Sequence, residues 1–237
     1  MKTIFYITGT SRGIGKSIAE LALMDEDNFV FGYSRTQTIN HANYKHISSD
    51  FSNPENLMSL ELPVKADASK AVLINNAGML GQVKPIGSQD TENIIKTHTV
   101  NAIAPTIITN LFLNAYKNND TEKTIINISS GAARKPVESW ANYCSTKASL
   151  DMLSRVVQQE NADSNLRVFA VAPGVVDTKM QDEIRSVSSK DFPHLEKFLN
   201  YKTGNHLSNT KDVANMLMHI INNPQDYGDV LMDVREL

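Results

Sequence analysis

The chain alternates short apolar runs with helical patterns along its whole length. Apolar runs predict strands at residues 3–8, 29–33, 72–75, 124–128, 167–171 and 230–233, and the segment YKHISSD adds one more after the second of these. Helical spacing predicts helices at residues 14–24, 91–118, 140–159 and 211–222. Alternation of this kind indicates a mostly parallel sheet with helices on both faces, which explains why the strands are continuously apolar. We therefore predict one α/β, doubly wound domain over residues 1–237, with about seven strands.

Two stretches follow this pattern less clearly. Residues 51–70 have few apolar positions and are interrupted by Pro63, so we expect a short helix and then an irregular approach to the next strand. Residues 179–207 are rich in charged residues and serine. They fit either a flap over a site or an ordinary surface insertion.

Composition limits the partners. The chain has 237 residues, of which 41% are hydrophobic and 21% charged, as in a soluble globular protein. Its net charge of −3 offers no basic surface for nucleic acid. The single cysteine, Cys144, fits a reducing compartment, and the apolar run at residues 4–8 is too short for a signal peptide or a membrane span. A cytoplasmic protein with no membrane or nucleic-acid partner is expected, and no metal site is predicted.

The first strand leads directly into the glycine-rich segment TGTSRGIG at residues 8–15, and a helix follows. Glycines permit a tight turn there and let a phosphate approach backbone N–H groups at the positive end of the helix. This context favours a Rossmann-type dinucleotide site over a turn without a ligand. The expected contacts are Gly9, Ser11, Arg12, Gly13, Ile14 and Gly15.

The end of the second strand, at Ser34 and Arg35, indicates which dinucleotide is bound. A domain that binds NAD carries an acidic residue near this position for the ribose 2′-hydroxyl. A guanidinium suits phosphate oxygens instead, and Arg12 offers a second cation. NADP(H) is therefore predicted rather than NAD; the alternative is that Arg35 is a solvated surface charge.

Asp50 and the segment NNAG at residues 75–78 end the next two strands. Asp50 can accept a hydrogen bond from an adenine amino group, although it also suits a helix N-cap, a role for which Ser52 and Asn53 compete. Small residues after the fourth strand would let a cofactor lie against the backbone. The candidate contacts here are Asn76, Ala77 and Gly78.

A tyrosine and a lysine stand four residues apart in YCSTK at residues 143–147. The apolar residues that predict a helix here are Ala148, Met152, Leu153 and Val156. Residues four apart share a helix face, so the Lys147 ammonium is expected to lower the Tyr143 pKa from its usual value of about 10. Taken alone, this spacing is common on helix surfaces. Cys144 points away from Tyr143 and is expected to be a packing residue.

Two other positions complete the candidate site. Ser130 follows the fifth strand, and ligands bind at the carboxyl ends of strands in sheets of this kind. Asn101, just before Pro105, marks an expected bend in the helix at residues 91–118. After the sixth strand the residues expected near a nicotinamide are Pro173, Gly174, Val176 and Thr178.

Together these residues resemble the short-chain dehydrogenase/reductase family, whose motifs occur here in family order over nearly the whole chain. The resemblance implies hydride transfer between NADPH and a carbonyl or alcohol. It implies that Tyr143 is the general acid in reduction and the base in oxidation, and that Lys147 lowers its pKa and binds the nicotinamide ribose. It also implies that Ser130 hydrogen-bonds the substrate carbonyl and that Asn101 holds a water that relays protons to Lys147.

Within the family, APGVVDTKMQ and LMDVREL look most like sepiapterin reductase and the benzil reductases, which reduce a vicinal dicarbonyl or a side-chain ketone with NADPH. Sepiapterin reductase anchors its pterin through an acidic residue near its end, and Asp233 and Glu236 are both candidates here. The alternatives are a 3-oxoacyl thioester reductase or another alcohol dehydrogenase of the family, or a redox sensor that binds NADP(H) without catalysis. The family implies a homodimer or homotetramer packed through residues 91–118 and 140–159. Trp140 is expected to be a core or dimer contact, or else a substrate platform.

Overall fold

Seven parallel strands form one sheet in the computed structural model, which describes residues 2–65, 67–118 and 120–237. The strand order is β3-β2-β1-β4-β5-β6-β7. The strands are β1 (Thr3–Thr8), β2 (Phe29–Ser34), β3 (Tyr44–Ser48), β4 (Lys70–Asn75), β5 (Glu122–Ile128), β6 (Leu166–Ala172) and β7 (Leu231–Asp233). This confirms the predicted doubly wound parallel sheet. Three residues of the predicted domain, Met1, Ala66 and Asn119, lie outside the described residues.

Helices cover both faces of the sheet. They are α1 (Gly13–Ala22), α2 (Pro54–Met58), α3 (Thr91–His98), α4 (Ala104–Ala115), α5 (Ala141–Glu160), α6 (Lys179–Arg185), α7 (Leu195–Thr203) and α8 (Thr210–Asn222). The four predicted helices are confirmed with two corrections: the helix predicted to reach residue 24 ends at Ala22, and the one predicted over 91–118 is interrupted and ends at Ala115. Among the described helices, none is both long and apolar enough to cross a membrane.

The side chains of β1 alternate between two cores. Phe5 and Ile7 pack on one face of the sheet with α1 and α8, whereas Ile4 and Tyr6 pack on the other face with α4 and α5. Successive side chains of a strand point to opposite faces, so a strand covered on both sides is apolar at every position. The helices leave the carboxyl ends of the strands uncovered, and the cleft described below opens there.

A π-helical turn at Thr99–Ile103 separates α3 from α4. Asn101 lies in this turn, and its amide is bound to the backbone of Met79: Nδ2 donates to the carbonyl over 2.7 Å, and Oδ1 accepts from the N–H over 2.9 Å. Pro105 follows at the start of α4, where its missing N–H is tolerated. The expected helix irregularity at Asn101 is therefore confirmed, and it takes the form of a π turn, a feature frequent at functional sites.

Residues 51–70 contain the short helix that was expected, α2, and then an irregular segment. Asn53 is the N-cap of α2, and its side chain accepts from the N–H of Glu55 over 2.9 Å. Asp50 is not the N-cap. Its Oδ1 accepts instead from the N–H and the hydroxyl of Ser52, over 3.0 and 2.7 Å.

The segment from residue 177 to residue 208, here called the cap segment, leaves and rejoins the domain at one place. Its two ends meet because the backbone of residues 175–177 pairs with Ser208. Within it, α6 and α7 are joined through Phe192, which is fully buried against Trp140 at the start of α5. The cap segment therefore has an apolar underside that packs on the site helix.

Gly32 in β2 leaves room for the ring of Tyr44 in β3. A Cβ at Gly32 would lie 2.1 Å from the Tyr44 hydroxyl and 2.6 Å from its ring atoms. The same hydroxyl is hydrogen-bonded over 2.9 Å to the hydroxyl of Thr10, in the glycine loop. The absence of a side chain at Gly32 thus allows the sheet edge to support the loop.

Replacing Gly32 by alanine should destabilise the protein, because the new methyl group overlaps rigid ring atoms. We expect Gly32→Ala to lower the free energy of unfolding by about 1–3 kcal/mol, measured by urea titration. Gly228→Ala is the matched control, since a Cβ there meets no atom within 4 Å. It should change stability by less than about 0.5 kcal/mol. Equal midpoints for the two variants would contradict the packing described here.

Candidate active site

The carboxyl ends of the strands open into one cleft with a volume of about 1520 Å³. It lies where the strand order reverses between β1 and β4, which is where sheets of this topology bind ligands. Most of the predicted site residues line it: Gly9, Ser11, Arg12, Gly13, Ile14, Ser34, Arg35, Asp50, Asn76, Ala77, Gly78, Ser130, Tyr143, Lys147, Pro173, Gly174, Val176 and Thr178. Gly15 and Asn101 lie behind the wall of the cleft.

The glycine loop presents backbone N–H groups to the cleft. Gly9 and Gly13 have φ angles of +77° and +61°, in the region that favours glycine. The helix α1 begins at Gly13, and its N-cap residue, Arg12, makes no side-chain hydrogen bond to the first turn. The first N–H groups of a helix have no partner within the helix and favour an anion. The loop therefore fits the pyrophosphate of a dinucleotide.

Asn76 fixes the glycine loop to the end of β4. Its Nδ2 donates to the carbonyls of Thr8 and Gly9, over 2.9 and 3.3 Å. The Thr8 hydroxyl accepts from the N–H groups of Asn76 and Ala77, each over 2.9 Å. Gly15 is required at the same place, because a Cβ there would lie 2.3 Å from Asn76 Nδ2. Both residues thus hold the loop, and their direct contact with a cofactor stays a prediction.

Two cations stand at the outer end of the cleft. Arg12 and Arg35 both line the cleft and are exposed. Neither forms a salt bridge with any residue that the structure describes. Hydrogen bonds from Ser52, helped by the nearby Arg35 charge, hold the pKa of Asp50 below its usual value. This end of the cleft therefore carries unpaired guanidinium groups beside one ionised carboxylate.

The helix α5 places Tyr143 and Lys147 on its buried side, close to Ser130 at the end of β5. The Ser130 side chain lies close enough to the Tyr143 phenol to favour its ionised form, and both residues line the cleft. Lys147 Nζ donates to the carbonyl of Ile128 over 2.7 Å and lies 5.8 Å from the centre of the Tyr143 ring. Tyr143 and Lys147 are only 7% and 5% exposed. The three residues are therefore brought together at the inner end of the cleft.

Burial dominates the electrostatics of this group. It raises the Tyr143 pKa to about 12, although the Ser130 side chain acts in the opposite direction. It also lowers the Lys147 pKa to about 8, which the charge of Asp151 opposes. The expected lowering of the Tyr143 pKa is not found in this structure, because burial of the phenol is the largest influence and raises the pKa. At neutral pH the phenol keeps its proton.

Asn101 approaches the lysine from behind Gly78. A Cβ at Gly78 would lie 3.5 Å from Asn101 Oδ1 and 3.7 Å from Lys147 Nζ, so both side chains border the same small space. Asn101 is held there by the backbone of Met79 and by the Thr146 hydroxyl, to which its Nδ2 donates over 3.2 Å. Its predicted part in a proton relay stays a prediction.

The side of α5 that faces the sheet is also polar in the turns that follow Lys147. Asp151 accepts hydrogen bonds from the Ser129 hydroxyl and from Arg134 Nε, the latter over 3.0 Å. One turn further, the Ser154 hydroxyl accepts from Asn127 Nδ2 over 2.7 Å. These bonds tie the helix to the end of β5 and so position Tyr143 and Lys147.

The predicted apolar stripe of α5 is not its buried face. Met152 and Val156 are 55% and 43% exposed, Ala148 is exposed, and Leu153 is partly buried. Most of the buried positions are polar instead, and Lys147, Asp151 and Ser154 among them bond to the end of β5. The helix itself was therefore predicted correctly, whereas the spacing did not reveal which of its faces is buried.

An aromatic wall stands beside Tyr143. The Trp140 ring stacks on Phe192 with centroids 5.5 Å apart, and meets the Tyr143 ring edge-on at 5.6 Å. Phe198 of α7 lies 5.4 Å from Trp140, and both residues line the cleft. Trp140 thus belongs to a buried cluster and also forms part of the cleft wall. Cys144 packs against the same cluster, as expected of a packing residue.

The segment after β7 brings an arginine to the inner end of the cleft. Arg235 lines the cleft, whereas the two acidic candidates, Asp233 and Glu236, do not. Asp233 is buried, and its carboxylate is bound by Arg235, with Nε donating to Oδ1 over 2.8 Å and Nη2 donating to Oδ2. Glu236 is exposed to solvent. Arg235 was not predicted to be part of the site.

The comparisons with known proteins agree with this arrangement. Residues 3–188 match the family model described as short chain dehydrogenase. The chain belongs to the short-chain dehydrogenase family. Members of this family are oxidoreductases acting on C–OH and C=O groups, so the predicted enzyme class is confirmed at that level.

Individual relatives within the short-chain dehydrogenase family support the predicted subgroup. Benzil reductase ((S)-benzoin forming) of Bacillus subtilis is 32% identical over 98% of each chain. Sepiapterin reductase of Xenopus tropicalis is 37% identical over 59% of this chain and 52% of its own. A crystal structure of a short-chain dehydrogenase/reductase from Saccharomyces cerevisiae covers 98% of this chain and 96% of its own with a TM-score of 0.84 at 25% identity. The similarity to both reductases and the fold class are confirmed.

Two features of the site were missed at the sequence level. Asp151 stands four residues after Lys147, so the spacing that linked Tyr143 to Lys147 also places Asp151 on their face. Arg235 carries a weaker signal, an opposite charge two residues after Asp233. Arg235 is brought to the cleft by the position of β7 beside β6, which no local pattern reveals.

Removing the Lys147 charge should change how stability depends on pH. Because burial lowers the Lys147 pKa to about 8 from its usual 10.5, the unfolded chain binds more protons than the folded chain between these values, and the free energy of unfolding rises with pH there. Between pH 8 and about pH 9.5, the tyrosines of the unfolded chain are still protonated. Over this range the free energy of unfolding of wild type should rise by about 1–2 kcal/mol more than that of Lys147→Met. Urea titrations at each pH measure this difference.

The control for this experiment is Lys117→Met, which removes a charge from an exposed turn. It should follow the wild-type pH dependence. The same slope in Lys147→Met and wild type would show that the Lys147 pKa is not lowered in the folded protein.

Proposed function

We propose that this protein is an NADPH-dependent carbonyl reductase whose substrates are ketones and vicinal dicarbonyl compounds such as benzil. The observation that carries the proposal is that Tyr143 and Ser130 present two neighbouring hydroxyls at the inner end of a dinucleotide-sized cleft. Support comes from the similarity over 98% of both chains to a protein named benzil reductase ((S)-benzoin forming).

The residues of the cleft fit NADP(H) along its length. The N–H groups of the loop and of the first turn of α1 suit the pyrophosphate, and Asp50 Oδ2, which has no hydrogen-bond partner among the described residues, suits the adenine amino group. Arg12 and Arg35 suit the 2′-phosphate because their charges are unpaired. Lys147 and the residues from Pro173 to Thr178 suit the nicotinamide end. When bound, NADPH supplies the hydride.

The side chains at the inner end stabilise the charge that develops on the substrate oxygen. Ser130 donates a hydrogen bond to that oxygen, and Tyr143 transfers its proton to it. The raised Tyr143 pKa suits the direction of reduction, because the phenol is protonated at neutral pH and an alkoxide is a stronger base. Lys147 stabilises the phenolate that remains, and Asn101 borders the route by which the proton is replaced.

The wall of the cleft favours aromatic or bulky apolar carbonyl compounds. Trp140 and Phe198 line it beside Tyr143, and Val137, Met180 and Ile184 extend the apolar surface. Such a surface stabilises a phenyl ring by burial and by ring–ring contacts. Reduction of a thioester on an acyl carrier would instead call for a basic surface near the site, and the cations of the cap segment are offset by its carboxylates. A sensor without catalysis would not need the proton donor Tyr143.

The assembly and location follow from the same proposal. Exposed apolar side chains on α3, α5 and the π turn between α3 and α4, such as Ile95, Ile103 and Met152, suit a surface between subunits. A homodimer or homotetramer in the cytoplasm is therefore the expected form, with no membrane or nucleic-acid partner.

Tyr143→Phe removes only the hydroxyl of the proposed general acid. We expect kcat for benzil reduction to fall by about 10²–10⁴-fold, because the developing alkoxide loses its proton donor. The NADPH dissociation constant should change little. The measurements are NADPH absorbance during turnover and NADPH fluorescence during binding. Tyr227→Phe is the control, since its hydroxyl bonds to His219 away from the cleft. Activity retained in Tyr143→Phe would rule out the assigned role.

Arg12→Gln combined with Arg35→Gln tests the choice of cofactor. Charge-assisted hydrogen bonds to a phosphate are worth about 1.5–3 kcal/mol, so losing them should weaken NADPH binding by roughly 10–100-fold or more. NADH binding should change by less than about threefold, because NADH lacks the 2′-phosphate. Lys16→Gln is the matched control, a nearby cation that does not line the cleft. An equal loss for both cofactors would contradict the assignment of these arginines to the 2′-phosphate.

A further inference from the structure

Arg235 lies at the catalytic end of the cleft, on the 3-10 turn Val234–Glu236 after β7. Its Nη2 would be 3.9 Å from a Cβ at Gly131, the residue after Ser130. Its Cγ and Cδ would each be 3.4 Å from a Cβ at Gly174, where φ is +75°. The arginine side chain therefore lies over two glycines, at van der Waals distance from both.

Asp233 holds the guanidinium in this position. Its Oδ1 accepts from the N–H of Arg235 over 3.0 Å and from Nε over 2.8 Å, and Oδ2 accepts from Nη2. The Asp233 side chain is 8% exposed, whereas that of Arg235 is 62% exposed. A guanidinium has five N–H donors, so two bonds to Asp233 leave three for another partner. The acid is the buried anchor, and the arginine is the group that a substrate meets.

The charges around Arg235 favour a neutral acceptor over an anion. The guanidinium is neutralised by Asp233 itself, and the next carboxylate inward, that of Asp151, is paired with Arg134. The pair therefore presents directed N–H donors with little net charge. A carbonyl oxygen satisfies such donors without the desolvation that an ionic ligand requires.

We propose that Arg235 is a specificity-determining residue that donates a hydrogen bond to the second, non-reacting carbonyl oxygen of a vicinal dicarbonyl substrate. The inference rests on the proposed carbonyl reductase function. Ser130 and Tyr143 hold the reacting oxygen, and Arg235 stands beside the residue that follows Ser130, which suits an oxygen on the neighbouring carbon. A monoketone leaves these donors without a partner in the substrate, which lowers its affinity relative to the diketone.

The test compares benzil with deoxybenzoin, which has a CH₂ group in place of one carbonyl. In Arg235→Met, kcat/KM for benzil should fall by roughly 10–100-fold, and kcat/KM for deoxybenzoin by less than about threefold. The intrinsic reactivity of each ketone cancels because each is compared with itself across variants. If the protein binds deoxybenzoin without reducing it, the inhibition constant of deoxybenzoin against benzil is measured instead of kcat/KM. That constant should also differ by less than about threefold between wild type and Arg235→Met.

Arg235→Lys keeps the charge but loses the fork of donors, and it should recover only part of the benzil activity. Glu236→Gln changes the charge of the same turn without lining the cleft, and it should behave as wild type. NADPH binding by fluorescence should be unchanged in all three variants.

Equal losses for benzil and deoxybenzoin, or no loss for either, would overturn the assigned role of Arg235 while leaving wild-type benzil reduction intact. Wild-type protein that oxidises NADPH with neither ketone would instead overturn the proposed function on which this inference rests.

Discussion

The hydrogen bond from the Lys147 ammonium to the carbonyl of Ile128 joins the site helix to the central part of the sheet. It satisfies a buried cation at the end of β5, and the bonds of Asp151 and Ser154 continue the same seam toward the other end of α5. Because the seam is polar, the helix cannot slide or rotate without leaving buried groups unpaired, which is costly. Tyr143 is therefore fixed relative to Ser130, one on the helix and the other at the end of the strand.

The cations that line the cleft differ in how they are bound, depending on their distance from this seam. At the outer end, the guanidinium groups of Arg12 and Arg35 are unpaired and exposed, as an anionic ligand requires. At the inner end, two cations are bound by other groups: Lys147 by a carbonyl, and Arg235 by Asp233. The inner end therefore offers donors to an oxygen without a strong field of its own, which suits a neutral carbonyl that gains negative charge only during the reaction.

The features that could be predicted from the sequence are those that depend on residues close together along the chain. The strands are recognisable because both faces are covered, and the loop at residues 8–15 because only glycine suits its backbone at Gly9 and Gly13. The buried face of α5 could not be read from its apolar residues, because most of its buried positions are polar and only their tertiary partners reveal that. The direction of the Tyr143 pKa was wrong for a related reason: a nearby cation is visible in the spacing, but the depth of burial is not. Arg235 reaches the site through the pairing of β7 with β6, a contact between distant parts of the chain.

If Tyr143 and Ser130 serve hydride transfer from NADPH to a ketone, the C4 hydrogen of the cofactor must appear on the product, and isotope labelling measures this. NADPH carrying deuterium at both C4 positions is incubated with the protein and benzil, and the benzoin formed is examined by proton NMR and mass spectrometry. The prediction is benzoin with deuterium on its carbinol carbon and an ordinary proton on its hydroxyl. Benzoin without deuterium at that carbon, or labelled NADPH that is not consumed, would contradict the claim.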